Sequence, residues 1–269
     1  TASAQTDYAV TIGYPVQNVS TSVGYTTLQA AIDAASPGNT IELVCNHTEG
    51  IVSVNKQLTI DGNGNTLTST SLTYGLALTV ADVVIENMTI EDAGTFGIHA
   101  NCGSDDLTIT DVTVNNCGGT GFAINGSDNA DLTNITSTNN GGNGLTVTNC
   151  NNMTVDGITT SGNAFAGGFG AGIDLATTSA YCTPGINGFN LTGSINIGET
   201  TKVYSEKTDA AQVITGLTGT GLAWAVGIGP LNRYYFATKD EAYTAVAALF
   251  DAPYNTASSP VSVFALFTE

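Results

Sequence analysis

Thr108-Ile109-Thr110-Asp111-Val112-Thr113 and Asp131-Leu132-Thr133-Asn134-Ile135-Thr136 carry one pattern, written twice 23 residues apart. In each, apolar residues flank a dipeptide that ends in Asp or Asn. Asp61-Gly62, Glu86-Asn87, Asp156-Gly157 and Thr192-Gly193 continue it in both directions, always with Gly, Asn or Asp second. Those second members lie 25, 24, 23, 23 and finally 36 residues apart. Gly, Asn and Asp are the residues that enter a left-handed backbone at least cost. One sharp corner per period, with alternating apolar residues around it, predicts a parallel β-solenoid.

A second marker runs in step with the first. Gly75-Leu76-Ala77-Leu78, Gly97-Ile98-His99-Ala100, Gly121-Phe122-Ala123-Ile124, Gly144-Leu145-Thr146-Val147 and Gly172-Ile173-Asp174-Leu175 have their glycines 22, 24, 23 and 28 residues apart. Each coil is therefore expected to hold three short strands: one before the corner, one after it, and the glycine-led one. Side-chain alternation sends Ile60, Ile85, Ile109, Leu132, Val155 and Leu191 inward before the corners, and Met88, Val112, Ile135 and Ile158 inward after them. The long 36-residue interval holds Asn163-Ala-Phe-Ala-Gly-Gly-Phe-Gly-Ala-Gly172, read as a loop bulging from one coil.

Around this core three segments are expected. Residues 1–25 form an N-terminal extended segment, with Tyr8, Val10 and Ile12 alternating. Residues 26–200 form the parallel β-helix, opened by a short capping helix with Thr26 and Gln29 as a capping box and Pro37-Gly38 as its stop. Residues 201–269 lose the period and read as a small C-terminal α+β capping or assembly module. It includes strands at Trp224, Tyr234-Tyr235-Phe236 and Val261–Phe267, and a helix opened by Thr238 and Glu241. The fold class is all-β.

Five Lys and Arg stand against 23 Asp and Glu, a formal charge of −18, and no Lys or Arg occurs between Gln57 and Thr201. Binding to a phosphate backbone works through basic side chains, so nucleic acid is excluded as a partner. An anionic membrane surface would repel the chain, and no apolar run reaches the roughly 18 residues of a spanning helix. Starting at Thr1 without Met reads as a mature chain whose leader has gone. Seven Asn-x-Ser/Thr sequons, at Asn18, Asn46, Asn87, Asn125, Asn134, Asn152 and Asn190, are candidate glycosylation sites. The expected location is secreted, extracellular or on the cell surface. Cys45, Cys102, Cys117, Cys150 and Cys182 form no CxxC pair, which supports neither a zinc ribbon nor a redox motif.

The stretch from Leu28-Gln-Ala-Ala-Ile-Asp-Ala-Ala-Ser-Pro-Gly-Asn-Thr-Ile-Glu-Leu43 to Leu58-Thr-Ile-Asp-Gly-Asn-Gly64 resembles the N-terminal cap and first coil of the pectin-lyase-like right-handed parallel β-helix superfamily. The resemblance covers about residues 26 to 200 and implies the fold. Activity stays open, because the superfamily includes polysaccharide lyases, glycoside hydrolases, tailspikes, adhesins and other surface proteins. It also implies that any substrate would lie along the glycine-led strands. Their outward residues are Ala77, His99, Ala123, Thr146 and Asp174. Lyase chemistry in such relatives uses Arg or Lys beside a uronate, and this stretch has neither. Hydrolysis needs two carboxylates about 5–10 Å apart. His99 and Asp174 stand three coils apart, roughly 14 Å at the usual strand spacing.

Two polar patterns remain. Gly103-Ser-Asp105-Asp106 and Gly126-Ser-Asp128-Asn129 should stack Asp105 on Asp128. That reads either as solvated acidic turns or as carboxylates with a Ca²⁺ between them. Thr89, Thr113, Thr136 and Thr159 form an outward column, read as β-branched stacking in preference to an ice-binding face. No catalytic residue, metal ligand or cofactor is assigned. The expected function is a non-catalytic, surface or adhesin-type member: an extracellular, non-enzymatic structural glycoprotein. It would be a subunit of a surface fibre, appendage or matrix that self-associates through its terminal segments. The alternatives are a carbohydrate-binding adhesin module, with glycans as partners, and a polysaccharide lyase or glycoside hydrolase.

Overall fold

The computed structural model describes residues 13–101, 103–163, 171–176, 189–199, 201–205, 224–228, 232–236, 238–243 and 261–265. The extended segment around Tyr8–Ile12, the loop after Asn163 and most of the helix after Thr238 lie outside the described residues. Of that helix, residues 239–243 are helical.

The chain opens with β1 (Val16–Asn18), β2 (Val23–Tyr25) and the helix α1 (Leu28–Ala34). A first coil follows as β3 (Thr40–Leu43), β4 (His47–Glu49) and β5 (Val52–Val54), and a second as β6 (Thr59–Asp61), β7 (Thr66–Ser69) and β8 (Tyr74–Leu78). Thereafter each coil is one long strand and one shorter strand, glycine-led as far as β16. These are β9 (Val84–Glu91) with β10 (Phe96–Ala100), β11 (Thr108–Asn115) with β12 (Phe122–Asn125), and β13 (Asp131–Thr138) with β14 (Leu145–Thr148). They continue as β15 (Thr154–Ser161) with β16 (Ala171–Ala176), and β17 (Asn190–Ile197) with β18 (Thr201–Ser205). The end is formed by β19 (Trp224–Ile228), β20 (Asn232–Phe236) and β21 (Val261–Ala265).

Two sheets run the length of the stack. One follows β17-β15-β13-β11-β9-β6-β3-β1-β2, and the other β21-β19-β20-β18-β16-β14-β12-β10-β8-β5. From β3 to β18 the coil-to-coil pairing is parallel. The N-terminal β1–β2 hairpin and the C-terminal β20, β19 and β21 pair antiparallel. Parallel pairing with β16 continues through Ser205, so the stack runs a few residues past position 200.

The expected three strands per coil hold only in the first two coils. From β9 onward the strands before and after the corner fuse into one eight-residue strand with a left-handed residue in its middle: Asn87 (φ 53°), Asp111 (55°), Asn134 (52°), Gly157 (82°) and Gly193 (71°). A single residue makes the bend, so the hydrogen-bond ladder carries on in register across it from β9 to β15, whereas between β15 and β17 the register shifts by one residue at the corner. The second coil differs because residues 62–65 intervene between Asp61, paired with Glu86, and Thr66, paired with Thr89. There the left-handed residues are Asn63 and Gly64, and Gly62 is needed for space: a Cβ on it would collide with Met88.

The inside is apolar as the alternation predicts. Ile60, Ile85, Ile109, Leu132, Val155 and Leu191, with Met88, Val112, Ile135 and Ile158, all lie in one buried cluster. Each buried Ile or Leu removes apolar surface worth about 1.5–3 kcal/mol. A second, polar column runs inside beside it. Cys117 N donates to Asn140 Oδ1 (2.9 Å), Asn140 Nδ2 to Asn163 Oδ1 (2.9 Å), and Asn163 Nδ2 to Glu199 Oε1 (2.8 Å). Thr160 Oγ1 donates to the other oxygen of Glu199. Every buried amide in that column therefore finds an acceptor one coil further on.

Helix α1 closes the N-terminal end and is held by side chains of the first coil. Its cap is Thr27, whose hydroxyl accepts from Ala30 N (3.1 Å), and not Thr26. The first amides, of Leu28 and Gln29, donate to the carboxylate of Glu49 (2.8 and 3.1 Å). That leaves Gln29 free to bridge to β5, accepting from Ser53 N at 2.7 Å. Lys56 Nζ takes the last carbonyls, of Ile32, Asp33 and Ala35. An anion at the N-terminus and a cation at the C-terminus both complement the helix dipole. The one Lys before the cation-free stretch is thus committed to the cap.

Candidate functional site

Pairing aligns Ser53, Ala77, His99, Ala123, Thr146, Asp174 and Tyr204 in one outward row across the glycine-led strands. Its ionisable side chains besides Tyr204 are His99 and Asp174, with β12 and β14 between their strands. At about 4.8 Å per strand they stand roughly 14 Å apart. Asp174 Oδ2 accepts from Asn143 Nδ2 (2.9 Å), which also reaches Thr146 Oγ1 (3.2 Å).

His99 lies in an aromatic cluster that sequence spacing did not suggest. Tyr74 and Phe96 are register partners on β8 and β10, and their rings stack near-parallel with centroids 5.8 Å apart. The imidazole stacks on both, at 4.5 Å from Tyr74 and 5.5 Å from Phe96. Burial among these rings pushes the His99 pKa below its ordinary value, because the charged form loses water. A base held neutral suits proton abstraction, but the aspartate of the same row, Asp174, is too distant to work with it on one bond.

Stacking of Asp105 and Asp128 occurs as the 23-residue spacing requires, but main-chain amides mediate it. Asp128 N donates to Asp105 Oδ1 (2.9 Å), and Asn151 N and Nδ2 donate to Asp128 Oδ1 (2.8 and 3.0 Å). The charges therefore meet amide hydrogens one coil on. Among the described residues no group of three or more His, Cys, Asp or Glu side chains gathers to hold a metal. The Thr column is in register through Thr66, Thr89, Thr113, Thr136 and Thr159.

The corners form ladders of their own. Asn87 Nδ2 donates to Asp61 Oδ1 (3.3 Å), Asn134 Nδ2 to Asp111 Oδ1 (3.2 Å), Asn129 Nδ2 to Asp106 Oδ1 (3.1 Å), and Asn116 Nδ2 to Asp92 Oδ1. In each case an amide sits on a carboxylate of the preceding coil. Three further left-handed columns thus accompany the one legible in the dipeptides: Asp92, Asn116, Asn139 and Gly162; Asp82, Asp106, Asn129 and Asn152; and Gly103, Gly126 and Asn149. Beside the first column lies an open concavity of about 410 Å³, lined by Asp61, Asn63, Gly64, Asn87, Met88, Thr89, Asp111 and Thr113.

The seven sequon asparagines fall into different surroundings. Asn46, Asn87, Asn134 and Asn152 are exposed, Asn125 and Asn190 are half-buried, and Asn18 is 1% exposed. Asn18 Nδ2 donates to Asn39 Oδ1 (3.0 Å) and its Oδ1 accepts from Thr21 N (3.2 Å). Of the cysteines, Cys45 is an exposed thiol and Cys117 and Cys150 are buried thiols; Cys102 and Cys182 lie outside the described residues. Among the described residues no helix is long and apolar enough to cross a membrane.

Residues 74–188 match a family model described as "Right handed beta helix region". The solenoid is a right-handed parallel β-helix of the pectin-lyase-like kind. No curated protein and no solved structure matches the chain. The matched segment of the β-helix begins at Tyr74, the first residue of β8, and takes in the glycine-led strands from β8 to β16 with the long strands between them. This family includes both enzymes and non-enzymes, so activity must be argued from the side chains that the β-helix presents.

Proposed function

We propose that the protein is an exported, non-enzymatic structural subunit of a surface fibre, appendage or matrix. The observation that carries this reading is the outward row of the glycine-led strands. It presents one histidine packed under aromatic rings and one aspartate three strands away, with no Lys or Arg anywhere between Gln57 and Thr201. A β-helix with such a wall lacks the acid–base pair and the cationic clamp that polysaccharide cleavage would demand.

The ends supply the means of association. Tyr14, Val19, Val23, Val44 and Ile51, most of the exposed large apolar side chains among the described residues, gather in the N-terminal cap and first coil. At the opposite end, β17 pairs only with β15 among the described strands, and its Ile195 and Ile197 are only partly buried. Unlike surfaces at two ends make a head-to-tail contact, which propagates as a filament wherever the rotation between subunits does not close a ring.

Electron microscopy of material from the native source, with light scattering of the purified chain, tests the proposal. Filaments or concentration-dependent growth are expected, and both should be lost when residues 1–12 are deleted or when Val19 and Val23 are replaced by Lys. A monodisperse monomer at high concentration, or turnover of a polysaccharide, would overturn it.

A further inference from the structure

We infer that Asn46, Asn87, Asn134 and Asn152 carry N-linked glycans in the native protein, and that Asn18 does not. The inference rests on the reading that the chain is exported, and it adds which of seven identical-looking tripeptides the fold can accommodate. N-linked transfer needs the Asn side chain to leave the protein surface and the hydroxyl two residues on to be present. The bulky sugar must then stay in solvent. Four sequon asparagines are exposed. At Asn18 the amide is 1% exposed, donates to Asn39 and accepts from Thr21, so a sugar on its Nδ2 would have to displace the β1 turn.

Three of the four exposed sites are left-handed corners: Asn87, Asn134 and Asn152 have φ of 53°, 52° and 54°. There the side chain projects at a bend, while the neighbouring Met88, Ile135 and Met153 point into the core. The Nδ2 of each donates one hydrogen to the coil before it: to Asp61, Asp111 and Asn129, respectively. An amide nitrogen has two hydrogens. Transfer from a lipid-linked oligosaccharide breaks the anomeric carbon–oxygen bond to the lipid phosphate and forms the bond from that carbon to Nδ2. One Nδ2 proton leaves, the lipid phosphate departs, and the second hydrogen remains for the ladder. Glycan and ladder are therefore compatible at the same residue. At Asn46 it is Oδ1 that is engaged, accepting from Thr66 N (3.0 Å), which leaves Nδ2 open.

Asn87 and Asn134 lie on one edge, two strands apart, roughly 10 Å at the usual spacing. Sugars there would cover the concavity beside Asp61 and Asp111 and hold that edge in solvent, leaving the two ends for contacts between subunits.

Glycopeptide mass spectrometry on protein from the native host, paired with cell fractionation, tests this. Trypsin has no site between Lys56 and Lys202, so cleavage at Asp or Glu is used, and Asn134 and Asn152, which share the peptide between Asp131 and Asp156, are told apart by fragmentation. Glycan mass is expected on the peptides of Asn46, Asn87, Asn134 and Asn152, and unmodified Asn18. Thr89→Val and Thr136→Val, which keep each Asn and the β-branched packing, should remove the sugar from Asn87 and Asn134 while the far-ultraviolet spectrum is unchanged. Glycan at Asn18 with the corners bare, or an extracellular protein bearing none, would overturn the inference and leave export standing. A bare protein confined to the cytoplasm would overturn the export reading as well.

Discussion

The side-chain amide of Asn134 donates to the carboxylate of Asp111, one coil earlier, at 3.2 Å. Both residues are left-handed, at φ 52° and 55°. One residue type thus does two things at this corner, turning the chain and giving a hydrogen bond to the carboxylate below it. Asn134→Gly should unfold close to the parent, since Gly157 holds the same corner in the next coil. Asn134→Ala should lose about 1–2 kcal/mol, the cost of a left-handed backbone with an ordinary Cβ. Asn134→Asp would set two carboxylates on adjacent coils, a loss of up to about 1 kcal/mol. That loss should shrink with added salt. Urea unfolding at low and high salt distinguishes the three. Equal midpoints would deny the corner ladder any role.

Glu199 is buried at the end of the inner asparagine column and accepts from Asn163 and Thr160. Glu199→Gln keeps an acceptor for Asn163 and offers a donor to Thr160, whose hydroxyl can accept instead. A loss of about 1 kcal/mol is expected. Glu199→Leu strands the buried amides of Asn163 and should cost about 3 kcal/mol or more. The measurement is the difference in denaturant midpoint between the two variants, with Leu the worse.

His99 gives stability a definite dependence on pH. Its pKa in the fold lies below 6.5 because burial disfavours the imidazolium. Between the lowered value and about 6.5 the unfolded chain binds the proton and the folded chain does not. Its contribution is therefore fully present above about pH 6.5 and is lost as pH falls through the folded-state value. His99→Gln should flatten this part of the melting-temperature profile, which is measured by recording Tm against pH for both proteins. Parallel profiles would rule out His99 as the source.

Burial pushes the thiols of Cys117 and Cys150 up to about 11, whereas Cys45 is exposed. The thiolate is the nucleophile, so near pH 8 the two buried sulfurs react slowly for want of both charge and access. Iodoacetamide on the native chain should label Cys45 well before Cys117 or Cys150, and denaturant should remove the difference. Peptide mapping after timed quenching reads this directly.

The β-helix was legible in the chain because its signals are local. An inward residue before each corner, a turn-tolerant residue at it and an inward residue after it occupy a few consecutive positions. Repetition at 23 to 25 residues did the rest. The other left-handed columns were hidden, since Asn116, Asn139, Asn129 and Asn152 are unremarkable in an Asn-rich chain until coils stack. Thr27 replaces Thr26 as helix cap because Glu49, two strands later, takes the first amides. The sequons divide in the same way: Asn18-Val19-Ser20 and Asn134-Ile135-Thr136 share a motif, yet one Asn is packed against Asn39 and the other stands at a corner.

The sequence by itself determined the solenoid, its inward column and the absence of cations from its wall, because alternation and corner chemistry act between neighbours in the chain. Only the tertiary structure decided what the wall presents: His99 against Tyr74 from the coil before, Asp111 under Asn134, and which asparagines reach water. Those contacts join residues some 23 apart, and it is the stacking of coils, with its strand spacing of about 4.8 Å, that brings them together.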